Sequence, residues 1–378
     1  MIYLDNAATT YPKPVSVQNA VQVALNKYGA NPGRAGHAMS LAAAEEIYRC
    51  RTAAANFFKA PGPECVAFTL NCTHAMNYVL KGLLKPGDHV VTSCLEHNAV
   101  MRPLQKLSES GVTFTAAQVF PGDNDATLDA FRNAIQENTK LIVCMHASNV
   151  WGIRLPVDRI AALGHLYNIP IAVDCAQSAG VLTIDMAESG FDYLCVAGHK
   201  GLYGPMGTGM LVTPNGSNLD TIIEGGTGTS SFSMEQPQTM PDRMESGTQN
   251  MPGIAGLRAG MEFVNQKGIQ TIYHHEMGLI NYLYKKLSEN KNVKLYTQEP
   301  KWPYFVPVLS FNVNDLPSET VSQKLNAAGI AVRAGLHCAP AAHECLGTLK
   351  QGTVRVCPSV FSTMNEMNAL VSAVQKII

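Results

Sequence analysis

An excess of charge of one sign is what this chain most plainly lacks. Its 28 lysines and arginines meet 29 aspartates and glutamates, a formal net charge of −1. That balance offers no electrostatic attraction to nucleic acid or to an anionic membrane surface, so neither is expected as a partner. Long apolar runs are missing too, and none approaches the roughly 18 residues of a membrane span. The opening MIYLDNAATTYPKP has no basic segment followed by an apolar one and does not read as a signal peptide. Internal repeats and low-complexity tracts are absent. The ten cysteines are scattered through a long chain rather than clustered in a small secreted scaffold. Reduced thiols in a cytoplasmic protein are the expected state.

What is present is enough apolar material for a large core. Apolar residues make up 46% of 378 residues and charged ones 15%, which suits one large domain and a smaller one. The stretches CVAFTL (65–70), HVVTSC (89–94), KLIVCMH (140–146), IPIAVD (169–174) and FDYLCVAG (191–198) read as strands. Several are apolar on successive residues, as in strands covered on both faces. Helical patterns lie between them. In SLAAAEEIYRCRTAAANFFK (40–59), Leu41, Ala44, Ile47, Tyr48, Ala55 and Phe58 form the expected apolar stripe. PVDRIAALGHLYN (156–168) is a second helix, with Pro156 suited to its first turn. Strands alternating with helices predict an α/β domain with a mostly parallel sheet. From about residue 215 the pattern changes. EGGTGTSSFSMEQPQTMPDRMESGTQN reads as a long irregular excursion, and loops of that length are usually functional. A helical region (253–290), the strand FVPVLSFNV, a helix at 318–328, IAVRAG, GTVRVC and a last helix then suggest a smaller α+β domain.

Ligands of parallel sheets sit beyond the carboxyl ends of the strands. Thr73 and His74 follow the first strand, Glu96 and His97 the second, Ser148 and Asn149 the third, and Asp174 and Gln177 the fourth. The fifth ends in AGHKGLYGPMGTG, which brings Lys200 to the same edge. Each residue alone has an ordinary reading: an Asp at a strand end is a cap or turn residue, and a lone Lys is a solvated charge. Together they suit pyridoxal phosphate. That cofactor needs a Schiff-base lysine, a carboxylate against its pyridine nitrogen and backbone donors at a helix start for its phosphate.

At nearly full length the sequence resembles the class V group of fold-type I pyridoxal-phosphate enzymes, and within it the cysteine desulfurase and selenocysteine lyase family. The resemblance rests on LDNAATT, EHNA, VDCAQSAG, AGHKGLYGPMGTG, ESGTQN and RAGLHCAP. It implies a large cofactor-binding domain over 15–255, with a mostly parallel sheet of the seven-stranded type. Residues 1–14 and 256–378 would form the small domain carrying the cysteine loop. It also implies pyridoxal 5'-phosphate on Lys200, which moves protons at the substrate α-carbon. Asp174 would pair with the pyridine nitrogen, Gln177 and Asn149 approach the phenolic oxygen, and His97 both stack on the ring and act catalytically as a proton carrier. Thr73, His74 and His199 belong to the phosphate side, with Thr248 reaching it from the second subunit of a homodimer. Arg355 would grip the substrate carboxylate, with Arg333, Asn149 and His37 nearby, and Cys338 would take the sulfur.

The implied reaction is removal of sulfur from L-cysteine, giving L-alanine and a Cys338 persulfide for an acceptor protein or thiol. Alternatives are selenocysteine lyase, another C–S lyase, a class V aminotransferase, or a non-enzymatic scaffold that kept the fold. A metal reading of VRAGLHCAPAAHECLG, through His337, Cys338, His343 and Cys345, has poor spacing, and no metal is expected. Cys345 and Cys357 read as buried small apolar residues. Arg333 and His337 are expected to supply positive potential around Cys338. The short span from Cys338 to Arg355 looks like the family's compact loop, which implies slow turnover without an acceptor. Departures from the family pattern are Ala197 for a serine, His74 for an acidic residue, a large Trp151 expected to narrow the pocket, and Cys357 and Ser362 near the substrate arginine.

Overall fold

The protein was analysed as a computed structural model that describes residues 1–32 and 36–378. The first part of the chain runs β1 (Ile2–Tyr3), α1 (Val15–Lys27), α2 (Ala38–Phe58), β2 (Val66–Thr69), α3 (Cys72–Leu83), β3 (His89–Ser93), α4 (Asn98–Ser108), β4 (Thr113–Ala117) and α5 (Asn124–Ala134). There follow β5 (Thr139–Met145), α6 (Val157–Leu166), β6 (Ile171–Asp174), α7 (Met186–Ser189), β7 (Tyr193–Ala197) and β8 (Gly209–Val212). The remainder is α8 (Met251–Lys267), α9 (Ile269–Ser288), β9 (Val293–Leu295), β10 (Leu309–Val313), α10 (Ser318–Ala327), β11 (Ile330–Ala331), α11 (Pro340–Cys345), β12 (Val354–Val356) and α12 (Met364–Ile377).

The expected α/β architecture is present, with a mostly parallel sheet at its centre. Seven strands pair in the order β2-β8-β7-β6-β5-β3-β4. All run the same way except β8, which is antiparallel to both its neighbours. Successive residues along a strand feed opposite cores. Ile142, Val173 and Leu194 pack into one buried cluster, and Leu141, Ala172 and Cys195 into the other. That is why these strands read as continuous apolar runs.

The small unit is a three-stranded antiparallel sheet, β12-β10-β9, packed with α9, α10 and α12 over Phe311, Leu325, Val354 and Leu370. Residues 2–3 return to it, since β1 pairs in parallel with β11. Among the described residues no helix is long and apolar enough to cross a membrane.

Three local readings need correction. The buried face of α2 runs Ala43, Ile47, Cys50, Ala54 and Phe58, while Leu41 and Tyr48 are exposed. Ile47, Ala55 and Phe58 of the expected stripe are buried, but the rest of the buried face is made of the small residues Ala43, Cys50 and Ala54. Four strands lie outside the expected set: the two-residue β1, the edge strand β4, β8, which starts from the glycine-rich turn, and the three-residue β9. In FVPVLSFNV only Leu309–Val313 is a strand, and Pro307, which lacks an N–H, lies outside the ladder.

Candidate active site

The carboxyl ends of β2, β3, β5, β6 and β7 open on one cavity of about 300 Å³. Each end is fixed by its own local chemistry. After β2, Asn71 caps α3 by accepting a hydrogen bond from His74 N at 2.9 Å, which sets Cys72 and Thr73 at the cavity wall. After β3, buried Glu96 accepts from Ser93 Oγ at 2.5 Å and from Met145 N at 2.9 Å, tying this turn to β5. Burial pushes the Glu96 carboxyl up to about 8, so it is mainly protonated at neutral pH. His97 caps α4, its Nδ1 accepting from Ala99 N at 3.0 Å. Burial lowers His97 to about 4, outweighing the opposing pull of Asp174. The ring is therefore neutral, with its proton on Nε2.

Asp174, at the end of β6, is buried and accepts from Ala176 N at 2.8 Å and from Cys72 Sγ at 3.3 Å. Gln177 donates to Ala7 O at 3.0 Å. Lys200 lies on the turn after β7, beside Asp174's strand. That turn presses against the one after β6 so closely that a Cβ on Gly180 would stand 2.1 Å from Gly201 O. Gly180 also has φ +85°, a second reason for glycine there. Burial lowers the Lys200 ammonium, and Asp174 opposes the shift. Burial also brings His199 down to about 4, and its Nδ1 is buried with no partner among the described residues.

The small unit closes the cavity. An isolated antiparallel bridge between Arg333 and Arg355 sets both arginines at its wall. Arg355 is only 2% exposed and donates to Asp5 Oδ1 at 2.7 Å and to Asn149 O at 3.0 Å, leaving its Nε without a partner among the described residues. Asn149 donates to His337 O at 2.8 Å, and its Oδ1 is buried and unpaired among the described residues. Cys338 is exposed at the rim, with Arg333 Nη2 3.8 Å from its sulfur. Its carbonyl accepts from Asn98 N at 2.8 Å, so the loop rests on the β3–α4 turn. His337 and Cys338 both hold positive φ, 50° and 57°, which aims the thiol off the end of the loop.

Thr73, His97, Asn149, Asp174, Gln177, His199, Lys200, Arg333, Cys338 and Arg355 line this one cavity. His74, Thr248 and His37 do not. His74 stacks on Tyr78 at 4.7 Å and lines a separate cavity together with Thr248. His37 caps α2, its Nδ1 accepting from Ser40 N at 3.2 Å.

Three expectations about surroundings fail. His337 supplies no positive potential, because burial lowers it to about 2 and keeps it neutral; Arg333 is the cation facing Cys338. Trp151 does not narrow the cavity. It is buried behind α11, donating from Nε1 to Ala342 O at 3.0 Å. Cys345 is not a buried apolar residue either: it is partly exposed, and its sulfur meets that of Cys94. Among the described residues no group of three or more His, Cys, Asp and Glu converges as a metal site would require.

The N-terminal segment holds site residues in place through contacts that its motif does not announce. Asp5 orients Arg355, and Ala7 holds Gln177. Thr10 Oγ1 donates to Lys200 O at 3.0 Å, and Lys13 Nζ donates to His199 O at 2.8 Å. No local pattern marks these contacts, since their partners lie 170 to 350 residues apart in sequence.

The model of the family described as "Aminotransferase class-V" matches residues 2–370. A protein of Methanothermobacter thermautotrophicus described as "Probable cysteine desulfurase" is 33% identical over 385 residues, covering 100% of this chain and 94% of that one. The apo structure of a cysteine desulfurase from Thermococcus onnurineus NA1 superposes with a TM-score of 0.92 at 29% identity, over 100% of this chain and 94% of that one. The Escherichia coli cysteine desulfurase CsdA superposes with a TM-score of 0.88 at 25% identity, over 99% and 94%.

Proposed function

The chain belongs to the class-V aminotransferase family, and from that premise we propose that it is a pyridoxal-phosphate-dependent cysteine desulfurase. The observation that carries this reading is an exposed thiol, Cys338, on the rim of the cavity that holds Lys200 and Asp174. An aminotransferase has no use for a nucleophile at that place.

The residues present fit the cofactor. Lys200 offers the amine for its attachment, and Asp174 the carboxylate for a pyridine nitrogen. The first turn of α3 offers N–H groups that have no acceptor within the helix, suited to a phosphate. His199 Nδ1 and Asn149 Oδ1 are buried polar atoms without partners among the described residues, as a site built for a further polar group would leave them.

When bound, pyridoxal phosphate supplies an electron sink conjugated to the substrate's α-carbon. Asp174 would offer its carboxyl group to the pyridine nitrogen of that sink. Arg355 is held by Asp5 and Asn149 with its Nε free, ready to take the substrate carboxylate. That contact turns the substrate's sulfur toward Cys338. Lys200 Nζ removes the α-proton and later returns one. His97, neutral with its proton on Nε2, lines the same cavity as Asp174. Cys338 attacks as thiolate, with the Arg333 N–H facing its sulfur. An S–S bond forms and the Cβ–S bond breaks with its electron pair going to carbon, which takes a proton. Cys338 is left as a persulfide and the carbon skeleton departs as L-alanine. An acceptor thiol then takes the outer sulfur.

We further read the enzyme as a cytoplasmic homodimer. Thr248 is exposed and lies away from Lys200, as a residue serving a second subunit's phosphate would. The test is to incubate the enzyme with L-cysteine and then L-selenocysteine, quantify alanine, and weigh the Cys338 peptide. Alanine from cysteine with one added sulfur on that peptide is expected. Cys338→Ala should form no sulfide yet keep its absorbance change with substrate, and Lys200→Ala should lose borohydride bleaching. Full turnover by Cys338→Ala would sink the reading.

A further inference from the structure

The mechanism leaves one pair of reactive groups unused. Cys94, just past β3, and Cys345, the last residue of α11, place their sulfurs 2.8 Å apart. That is about 0.8 Å longer than a formed disulfide bond of about 2.0 Å. Neither thiol is sealed in the core, since both are partly exposed. The other cysteines except Cys338 are buried. Gln118 Nε2 donates to Cys345 Sγ at 3.4 Å, giving a thiolate at that position a second partner. Contact with Cys94 and this bond bring Cys345 down to about 7, while Cys94 is pushed up. Cys345 is thus the thiol that ionises and attacks first.

The pair's position gives it a consequence. Cys345 lies seven residues after Cys338, and the loop between them is α11 and its approach. Cys94 lies four residues before Asn98, whose N–H holds the Cys338 carbonyl at 2.8 Å. The segment bearing the nucleophile is therefore touched by the β3–α4 turn at both ends: by a backbone hydrogen bond at Cys338, and by the sulfur contact at Cys345.

We propose that Cys94 and Cys345 form a redox-modifiable dithiol whose closure to a disulfide clamps the Cys338 loop to the β3–α4 turn and slows sulfur transfer. The oxidant is a low-molecular-weight disulfide. Cys345 as thiolate attacks one of its sulfurs and expels one thiolate, leaving a mixed disulfide. Cys94 then attacks the Cys345 sulfur, forms the intramolecular bond and expels the second thiolate. The two protons given up by the cysteines go to the two departing thiolates, so one small disulfide is reduced as one protein disulfide forms. A covalent bond at the far end of α11 removes the freedom that Cys338 needs to meet first a substrate and then an acceptor.

This consequence for turnover rests on the desulfurase reading, but the cross-link does not. The holoenzyme is treated with oxidised glutathione, alkylated and mapped without reduction. A Cys94–Cys345 peptide pair is expected, with hydrogen exchange over 338–346 slowed at least tenfold and restored by reductant. Alanine formation from cysteine should fall at least fivefold on oxidation in the wild type and stay unchanged in Cys345→Ser and Cys94→Ser. Cross-linking through Cys338, a lasting glutathione adduct without the internal bond, or a cross-link that changes neither exchange nor alanine formation would each overturn the proposal. No alanine even from the reduced holoenzyme would overturn the desulfurase reading instead, with the mapping and exchange data still judging the clamp.

Discussion

Glu245→Gln probes how the long excursion before α8 is held, three residues ahead of Thr248. Glu245 and Arg51 are each 8% exposed. They meet in a two-pronged pair at 2.6 and 2.9 Å. The same carboxylate accepts from Phe68 N at 2.6 Å, and Arg51 also donates to Val66 O at 2.6 Å. The guanidinium lies over the Phe68 ring, 4.7 Å from its centre. A glutamine keeps the shape but removes the charge, and turns an N–H₂ toward a group that can only donate. Breaking one partner of a buried pair costs about 3–5 kcal/mol, because the remaining charge is left without compensation. Unfolding entropy of about 2.1 cal/mol/K per residue makes roughly 0.8 kcal/mol/K for a chain of this length. The melting midpoint should therefore fall by about 4–6 °C. Circular dichroism on the cofactor-loaded protein reads it, at two scan rates to expose irreversibility. Arg51→Met with Glu245→Leu removes both charges and should recover most of the loss. A fall under about 1 °C for Glu245→Gln, or a double variant worse than the single, would refute the account.

Stability should peak near pH 6.5. Burial holds His146 at about 3, His337 at about 2 and His343 at about 4, so below 6.5 the unfolded chain gains protons that the folded one refuses, and stability falls with pH. Burial holds Glu96 and Glu276 at about 8, so folded carboxyls keep protons that the unfolded chain loses, and stability falls as pH rises from 6.5 toward 8. A midpoint that climbs steadily from pH 6 to 8.5 at constant ionic strength would contradict this. Arg355→Lys should cost one or two charged hydrogen bonds, about 1.5–3 kcal/mol each, and so lower kcat/KM for cysteine roughly tenfold or more. Most of that loss should appear in KM; an unchanged KM would remove Arg355 from carboxylate binding.

Much of this protein is determined locally and could be read from its sequence. Buried parallel strands announce themselves as apolar runs, because both faces of the sheet are covered. Lys200, Asp174, His97 and Asn149 follow such runs, and a parallel sheet must bring strand ends to one edge. The edge strand β4 and the glycine-led β8 lack that signal, and α2 buries small residues that carry little of it. Tertiary structure alone decided the rest. Burial, which no local pattern records, leaves His337 neutral and sends Trp151 behind α11 instead of into the cavity. Asp5 and Arg355 meet across the chain because β1 pairs with β11 and Asp5 bridges to Cys357. The contact of Cys94 with Cys345 depends on how α11 lands on the β3–α4 turn, a matter of packing between distant segments and not of either segment's residues.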